Sequence, residues 1–181
     1  MRQFLYILGL AVLISTTFGS CKKSTLDTLR DNELVALDKY IKDNNLADTK
    51  DISGIYFKSL SQGTDTTRIR SGFKVMMYFN ITLIDGTVVF TTEDEYGHNY
   101  EEYAFYVDVS NNVVNANYVQ QITGLHNGLK KMKIGEKAFM VIPSELAFKA
   151  VDNSSIGIPR FSTLLATVYA KKGYSPEQQA E

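Results

Sequence analysis

The chain carries few residues of the types that perform covalent or metal chemistry. Its two histidines, His98 and His126, lie in a polar segment and on a predicted helix, and Cys21 is the only cysteine. No Ser/His/Asp arrangement, glycine-rich phosphate loop or metal-ligand spacing is visible, so the sequence gives no support to a hydrolase, a metal site or a cofactor. Aromatic side chains are instead abundant, with 11 Tyr and 10 Phe but no Trp. They favour a β-rich fold.

Length and charge exclude further classes of protein. The chain has 181 residues and a net charge of -1 at pH 7. Once an N-terminal leader is set aside, this length predicts one domain. The basic residues do not cluster, so there is no electrostatic footprint for nucleic acid.

A helix is predicted near the start of residues 121–148, the segment most informative about the fold. Leu125, Leu129 and Met132 recur at i, i+4 and i+7, which places them on one helical face. Thr123 is the predicted N-cap of this helix.

A glycine turn and a strand are predicted to follow. Gly135 stands where a helix C-terminus needs a residue that tolerates positive φ. Residues 136–142 are strongly apolar and predict a strand, which Pro143 ends because it has no N–H for a β-ladder. Further strands are predicted at residues 53–60, 103–107 and 163–169.

The clearest strand pattern lies at residues 73–83. Every odd position there is apolar, and the even positions include Lys74, Asn80 and Thr82. Alternation over this length is typical of a half-buried antiparallel strand. Asp85-Gly86 then supplies a hairpin signal, and residues 87–92 predict the returning strand.

These motifs, in this order, resemble those of FKBP-type peptidyl-prolyl cis-trans isomerases. The motif Ile-x-Gly-Leu-x-x-Gly-Leu-x-x-Met begins at Ile122, and Gly-Glu and Ile-Pro-x-Glu-Leu-Ala-Phe follow it. The resemblance covers residues 54–172. It implies an α+β fold, FKBP-like, in which a twisted antiparallel β-sheet wraps on a short amphipathic helix, with an extra N-terminal helix. It also implies proline-containing polypeptides as substrates.

The resemblance places two groups of residues in a proline pocket. Ile122 would donate its backbone N–H to a substrate carbonyl, and Leu125 would form the pocket floor. The residues implied to be catalytic are Phe79, Phe90, Thr91, Ile122 and Phe148, and those implied to bind substrate are Tyr103, Phe105, Gln121, Leu125, Ile158 and Ala166.

Several of these positions depart from the family pattern. Phe79 and Phe148 stand where the family has tyrosines, Thr91 where it has an aspartate, and Ala166 where it has a phenylalanine. One extra residue follows the Asp85-Gly86 turn. Each lost polar group is worth ~1 kcal/mol in a buried site, so the departures together predict weakened catalysis.

Two functions therefore remain open. One is a peptidyl-prolyl isomerase that assists folding of exported proteins through non-covalent catalysis in an apolar aromatic pocket. The alternative is a catalytically weak or inactive FKBP-like binding or chaperone module of an envelope assembly. Without the resemblance, simple core packing would explain the same aromatic residues.

The N-terminus has the features of an export signal. Arg2 is followed by an apolar run at residues 4–14 that is too short to span a membrane as a helix. Cys21 follows Gly-Ser, which resembles a bacterial lipobox with Phe18 in place of the usual leucine. The sequence thus predicts lipidation at Cys21 and an anchor in the inner or outer membrane of a bacterial envelope, facing the periplasm or the surface. Lipoproteins of this type include gliding-motility-associated members. An ordinary cleaved signal with a stray cysteine is the alternative.

Two parts of the chain each allow more than one interpretation from the sequence. The helix expected after Thr28 and Asp31 could be an interaction element or a packing or spacer helix. Residues 109–120, longer than the family needs, could be a bulge, a surface loop or a partner-specific insertion. The predicted divisions are a lipoprotein signal peptide at 1–20, a tether at 21–30, a helix and connector at 31–52, the FKBP-type domain at 53–172 and a polar tail at 173–181.

Overall fold

The computed structural model describes residues 24–63, 65–94, 97–99, 101–109 and 117–180. The predicted signal peptide, Cys21 and most of the 109–120 segment lie outside the described residues. Within the described part of the chain, no helix has both the length and the apolarity needed to cross a membrane.

The body of the protein is one six-stranded antiparallel sheet. In chain order its strands are β1 (Tyr56–Ser61), β2 (Lys74–Leu83), β3 (Val88–Thr91), β4 (Tyr103–Tyr106), β5 (Lys137–Ile142) and β6 (Leu164–Tyr174). The spatial order is β1-β5-β6-β2-β3, and β4 also pairs with β2. Strands β3 and β4 bond to different parts of β2, at Asn80–Thr82 and Lys74–Met77 respectively. The predicted α+β, FKBP-like architecture is confirmed.

Strand β2 has the burial pattern that its sequence predicts. Val75, Met77, Phe79 and Ile81 are buried, whereas the residues between them are half-buried. Side chains that alternate across a strand give it one core face and one wetter face. The core face of β2 therefore presents Phe79 to the region of the predicted pocket.

A short helix, α2 (Thr123–Leu129), packs closely against β5. Two glycines one turn apart permit this approach. A Cβ added at Gly124 would lie 2.3 Å from Ile142 Cγ2, and one added at Gly128 would lie 2.2 Å from Met140 Sδ. The predicted buried face is confirmed for Leu125 and Leu129 in the helix, and Met132, which follows the helix, is also fully buried.

Two details of the predicted helix are wrong. Thr123 is the first helical residue, and the N-cap is Ile122, which makes no side-chain cap bond. Gly135 has the expected positive φ of 80°, but it lies in the turn before β5 because the helix already ends at Leu129. Residues 130–134 instead form a connection that leads into the strand.

The N-terminal helix, α1 (Thr25–Asp43), begins earlier than its sequence predicts. Its N-cap is Ser24, whose hydroxyl accepts from the Asp27 backbone N–H while the Asp27 carboxylate accepts from the Ser24 backbone N–H. This reciprocal capping box starts the helix one turn ahead of Thr28. Residues 25–30 are therefore helix and not tether.

Helix α1 packs on the face of the sheet opposite α2. Leu37, Ile41 and Leu46 form a second, smaller core with Val141 and Leu165. Because side chains alternate along a strand, these two partners point away from the main core, to which Met140 and Ala166 belong. The helix is thus docked on the domain.

The predicted boundary of the polar tail also needs correction. Strand β6 continues to Tyr174, and a short turn of helix at Glu177–Gln179 folds back on the domain. The Gln179 side chain donates to the carbonyl oxygens of Gly72 and Tyr174 at 2.9 and 3.1 Å. These bonds hold the described part of the tail against the start of β2.

Candidate active site

The predicted pocket residues separate into a buried floor and a more exposed rim. Strand β4, helix α2, the loop before β6 and β6 itself supply the floor. Its members, each with no exposed surface, are Phe105, Ile122, Leu125, Ile158 and Ala166. The floor is therefore well packed and holds no polar side chain.

Phe79 and Tyr103 form one wall above the floor. Phe79 is 4% exposed, and its ring meets that of Tyr103 edge to face with centroids 5.3 Å apart. Met77 lies opposite Tyr103 in the β2–β4 ladder, which fixes the register of this wall. Burial raises the pKa of the Tyr103 phenol, with the Gln120 side chain acting in the opposite sense. Tyr103 therefore stays neutral at physiological pH and presents its hydroxyl as a donor or acceptor.

The second wall is a triangle of aromatic rings. Ring centroids lie 6.5 Å apart for Phe90 and Phe148, 6.5 Å for Phe90 and Tyr118, and 6.2 Å for Tyr118 and Phe148. Phe148 is only 8% exposed, whereas Tyr118 is 39% exposed. Tyr118 thus lies on the solvent side of both rings to which the resemblance assigns substrate contact.

Four of these rings, those of Phe79, Phe90, Tyr103 and Tyr118, line an open cleft of about 670 Å³. The other residues that line it come from β3, from β4 and from the segments next to these strands and before α2: Val89, Thr91, Thr92, Glu93, Glu101, Glu102, Ala104, Asn117 and Val119. The cleft is not lined by seven of the predicted site residues: Phe105, Gln121, Ile122, Leu125, Phe148, Ile158 and Ala166. The cleft is large enough for a short peptide segment.

A β-bulge accounts for the extra residue after the Asp85-Gly86 turn. Ile81 lies opposite Phe90, but Thr82 lies opposite Val88, so Val89 is the unpaired residue. The bulge restores the register that directs Phe90 toward the cleft.

Both Thr91 and Thr92 contact the Phe79 backbone, but Thr92 makes the shorter hydrogen bonds. Thr92 is buried, and its Oγ1 accepts from the Phe79 N–H at 2.8 Å and donates to the Phe79 carbonyl at 3.1 Å. Thr91 is exposed, and its Oγ1 lies 3.4 Å from the same carbonyl. Thr91 reaches the cleft edge, but Thr92 fixes the backbone of the cleft wall.

The backbone at the start of α2 is not free for a substrate in this structure. The Ile122 N–H donates to the Val119 carbonyl at 3.3 Å, which closes a short helical turn at Val119–Gln121. This bond is long for an N–H···O contact, so a better-placed acceptor could replace it. Gln121 is exposed beside it.

His126 supports the floor and does not line the cleft. Its Nδ1 accepts from the Asp108 N–H at 2.9 Å, which leaves Nε2 to carry the proton and to donate to the Gln120 carbonyl at 2.8 Å. Its ring centroid lies 4.7 Å from that of Phe105. The histidine thereby links the two sides of the 109–120 segment.

One of the three carboxylates that line the cleft, Glu102, has a charged partner. Lys171 contacts Glu102, and its Nζ lies 3.1 Å from the Tyr78 hydroxyl. The hydrogen bond to Glu102 raises the pKa of Lys171, and the same bond lowers the pKa of Glu102. Among the described residues, no group of three or more His, Cys, Asp or Glu side chains is placed to hold a metal ion. The cleft therefore presents aromatic rings together with the carboxylates of Glu93, Glu101 and Glu102.

Sequence reasoning missed Tyr118 and Thr92. Tyr118 lies three residues before Gln121, the nearest predicted site residue. It belongs to a segment with no periodic pattern, so the sequence did not indicate that its ring packs on Phe90. The extra residue after the turn made the register of β3 uncertain by one position, so Thr92 could have been considered in place of Thr91.

The sequence profile described as FKBP-type peptidyl-prolyl cis-trans isomerase matches residues 65–169. Because this match covers more than half of the chain, the protein belongs to the FKBP-type peptidyl-prolyl cis-trans isomerase family. No curated protein sequence matches the chain.

Solved structures share the fold at low sequence identity. FkpA from Escherichia coli is similar with a TM-score of 0.65 and 22% identity, over 97% of this chain and 72% of that one. A peptidyl-prolyl cis-trans isomerase from Pseudomonas syringae pv. tomato gives 0.64 and 18%, over 85% and 99%. The structure of the three FKBP domains of wheat FKBP73 gives 0.56 and 25%, over 69% and 48%.

Proposed function

We propose that the chain is a peptidyl-prolyl cis-trans isomerase that assists folding of exported proteins at a bacterial cell envelope. The observation that carries this proposal is the open aromatic cleft walled by Phe79, Phe90 and Tyr103, within the residues that the family profile matches. Its substrates are proline-containing polypeptides.

The chemistry required is rotation about an X-Pro amide bond. Resonance gives amide rotation a barrier of ~18–20 kcal/mol, and uncatalysed exchange of X-Pro bonds takes tens to hundreds of seconds. The twisted transition state loses resonance and is less polar than the planar amide. A water-poor aromatic surface therefore favours the transition state over the ground state, without a nucleophile or a cofactor.

The residues of the cleft have separate roles in this scheme. Phe79, Phe90 and Phe148 hold the proline ring by apolar contact, and the Ile122 N–H exchanges its long bond to Val119 for one to a substrate carbonyl. Phe79 and Phe148 have no hydroxyl groups to position the peptide further. We therefore expect a rate enhancement one to several orders of magnitude below that of a cleft with every polar group in place, since ~1.4 kcal/mol is tenfold.

A direct test measures exchange of an X-Pro peptide by a protease-coupled or NMR assay. The wild-type chain should accelerate exchange, and Phe90→Leu should reduce kcat/KM at least ~10-fold through lost aromatic contact. Ile52→Ala is the matched control, since Ile52 is fully exposed and does not line the cleft. The enzyme proposal fails if no rate exceeds background across several residues preceding proline.

A second candidate function is a binding or chaperone module with weak or absent isomerase activity. The observation that favours it is the position of Tyr118 over Phe90 and Phe148, above a floor with no exposed surface. Such a module would bind proline-containing peptides, seen as NMR shifts of the cleft residues, without accelerating their exchange. Measuring both quantities on one peptide separates the two candidates.

The location at the envelope rests on the sequence of the first 21 residues. We propose that Cys21 is lipidated and that the domain acts close to a membrane of the bacterial envelope. Incorporation of a labelled fatty acid into the wild-type protein, lost in Cys21→Ser, is the expected result in cells. Equal labelling of both proteins, or of neither, would contradict lipidation at this cysteine.

A further inference from the structure

A buried carboxylate connects the N-terminal helix to the loop that carries Phe148, whose ring packs against the cleft residues Phe90 and Tyr118. Glu33 on α1 is 6% exposed, and its two oxygens accept four hydrogen bonds. The donors are the Ser144 N–H at 2.9 Å, the Ser144 hydroxyl at 2.9 Å, the Thr163 hydroxyl at 2.8 Å and Arg30 Nη1 at 3.1 Å. A buried charge with this many donors is a built arrangement and not a surface contact.

Two of these donors mark the ends of a single loop. Ser144 follows strand β5 by two residues, and Thr163 immediately precedes β6; they are 0% and 2% exposed. The residues between them include Phe148 in the aromatic triangle and Ile158 in the floor. One carboxylate on α1 therefore fixes both ends of the loop that supplies these two side chains.

Backbone bonds carry this constraint from Ser144 to the residue next to Phe148. The Lys149 N–H donates to the Ser144 carbonyl at 2.9 Å, and the Phe161 N–H donates to the Lys149 carbonyl at 2.8 Å. Lys149 has a φ of 55°, a backbone conformation that is unfavourable for residues other than glycine. Backbone bonds within the loop therefore hold Lys149 in this conformation next to Phe148.

Arg30 extends the same contact at the surface. Its Nη1 lies 3.0 Å from Ser144 Oγ and 2.6 Å from Glu145 Oε1, and its guanidinium is 5.9 Å from the centre of the Phe161 ring. Arg30 and Glu33 are three residues apart on one face of α1. The helix therefore contacts the loop near its start and near its end.

We propose that Glu33 is a positioning residue for the cleft: helix α1 uses its carboxylate to hold the 144–163 loop so that Phe148 and Ile158 are in place for a proline-containing peptide. The role of the loop in binding rests on the proposed function, whereas the control of loop conformation by Glu33 does not. On this view the N-terminal helix is a part of the site's architecture and not a spacer.

The alternative is that α1 only adds stability through its apolar contacts. Leu37 provides the matched control, because it lies one turn from Glu33, is 7% exposed and packs in the core shared with Val141 and Leu165. Leu37→Ala weakens the docking of α1 without removing any acceptor of the loop. Glu33→Ala removes the acceptors and leaves Ser144 and Thr163 with unsatisfied donors.

The experiment compares Glu33→Ala, Glu33→Gln and Leu37→Ala by native-state amide hydrogen exchange, with global stability measured by denaturant for each. In Glu33→Ala, exchange of the Lys149 and Phe161 amides should accelerate at least tenfold relative to the Phe79 amide of β2. In Leu37→Ala, the loop and β2 should accelerate together, by the factor that the global destabilisation gives. Glu33→Gln keeps one carbonyl acceptor, so it should restore part of the loop protection.

Peptide assays provide a second, independent measurement. Glu33→Ala should raise KM for an X-Pro peptide at least threefold with a smaller change in kcat, and Glu33→Gln should recover part of the loss. If the wild-type chain has no isomerase activity, peptide affinity from NMR shifts replaces KM and the exchange comparison still decides the role of Glu33. Thr163→Val, which removes one donor without altering α1, should also loosen the loop and serves if Glu33→Ala does not fold.

Two results would overturn the proposal. One is loop exchange in Glu33→Ala that changes only in step with β2. The other is Leu37→Ala loosening the loop as selectively as Glu33→Ala at equal loss of global stability. Either result would reduce α1 to a stabilising element, and neither would bear on whether the cleft isomerises proline.

Discussion

The floor and the rim of the cleft are built on the same sheet but obey different constraints. The floor side chains Leu125, Ile122 and Ala166 have no exposed surface and belong to the main core. The rim contains Phe90 and Tyr118, which solvent reaches and whose rings contact one another and Phe148. The choice of side chain at a floor position is thus limited by the volume it must fill. At a rim position it is limited by the molecule that the side chain contacts outside the protein.

Polar groups are limited by the same burial in the walls. Phe79 and Phe148 are 4% and 8% exposed, and a hydroxyl on either ring would need a hydrogen-bond partner when buried. The two rings pack without one, but they offer no polar contact to a peptide. Floor variants should therefore alter stability first, and rim variants should alter binding first.

The largest effect is expected from Leu125→Ala at the floor. Deleting most of a fully buried leucine side chain leaves a cavity and costs ~2–5 kcal/mol of the free energy of unfolding. Denaturant unfolding measures this loss. Val35→Ala is the control, because Val35 is 70% exposed on α1 and its truncation should change stability by ~0.5 kcal/mol or less. A small loss for Leu125→Ala would mean that the floor can collapse and that its separation from the rim is weaker than the burial indicates.

The pair Thr92→Val and Thr91→Val compares a buried residue with its exposed neighbour at the end of β3. Thr92→Val removes both side-chain bonds to the Phe79 backbone and leaves a buried N–H without an acceptor, so it should cost ~1–2 kcal/mol. Thr91→Val changes an exposed residue and should cost less than ~0.5 kcal/mol. Equal losses in denaturant unfolding would indicate that the bulge at Val89 does not set the register in solution.

The sheet and the short helix were predictable because their signals are local and periodic. The alternation along β2 fixes which of its residues face the core, and the helical spacing of Leu125, Leu129 and Met132 fixes the buried face around α2. Their order along the chain then limits the topology. The family match supports the same assignment over residues 65–169.

The features that were not predictable depend on contacts between distant residues. Glu33 meets Ser144 and Thr163, which lie 111 and 130 residues away along the chain, and a glutamate on a helix otherwise predicts a solvated face. The contact of Tyr118 with Phe148 likewise depends on how the chain returns after the 109–120 segment. The true N-cap of α1 was missed for a simpler reason, since Ser24 and Asp27 form the same type of capping box one turn before Thr28 and Asp31.

Tyr118→Ala tests whether the rim restricts access to the second wall. A peptide that contacts both Phe90 and Phe148 must displace the Tyr118 ring, and an aromatic pair is worth ~0.5–1.5 kcal/mol beyond its buried area. Removing the ring should therefore raise kcat/KM, or peptide affinity, by ~3- to 10-fold with little change in stability. Tyr174→Ala, another partly exposed tyrosine away from the cleft, is the control. A fall in kcat/KM would instead show that the Tyr118 ring contributes to peptide binding.

The smallest effect is expected from a charge pair behind the floor. Lys131, two residues after α2, contacts the Asp51 carboxylate, which also accepts from the Ser53 N–H at 2.9 Å. The hydrogen bond from Lys131, with that from Ser53, lowers the pKa of Asp51. A carboxyl whose pKa is lower in the folded state stabilises the fold above its unfolded pKa of ~3.9, and this stabilisation is lost as the pH falls through the folded pKa.

Asp51→Asn should therefore destabilise the protein at pH 7 and have progressively less effect toward strong acid. The loss at pH 7 should be on the order of 1 kcal/mol, because solvent reaches both side chains and screens the pair. Denaturant unfolding of both proteins between pH 7 and pH 2 measures the difference. High salt should shrink it at pH 7 but should leave the loss caused by Leu125→Ala intact, since that loss contains no charge term. A difference in stability that grows on acidification would contradict the lowered pKa of Asp51. A change in peptide affinity in Asp51→Asn would show that the floor and the rim are coupled through the helix between them.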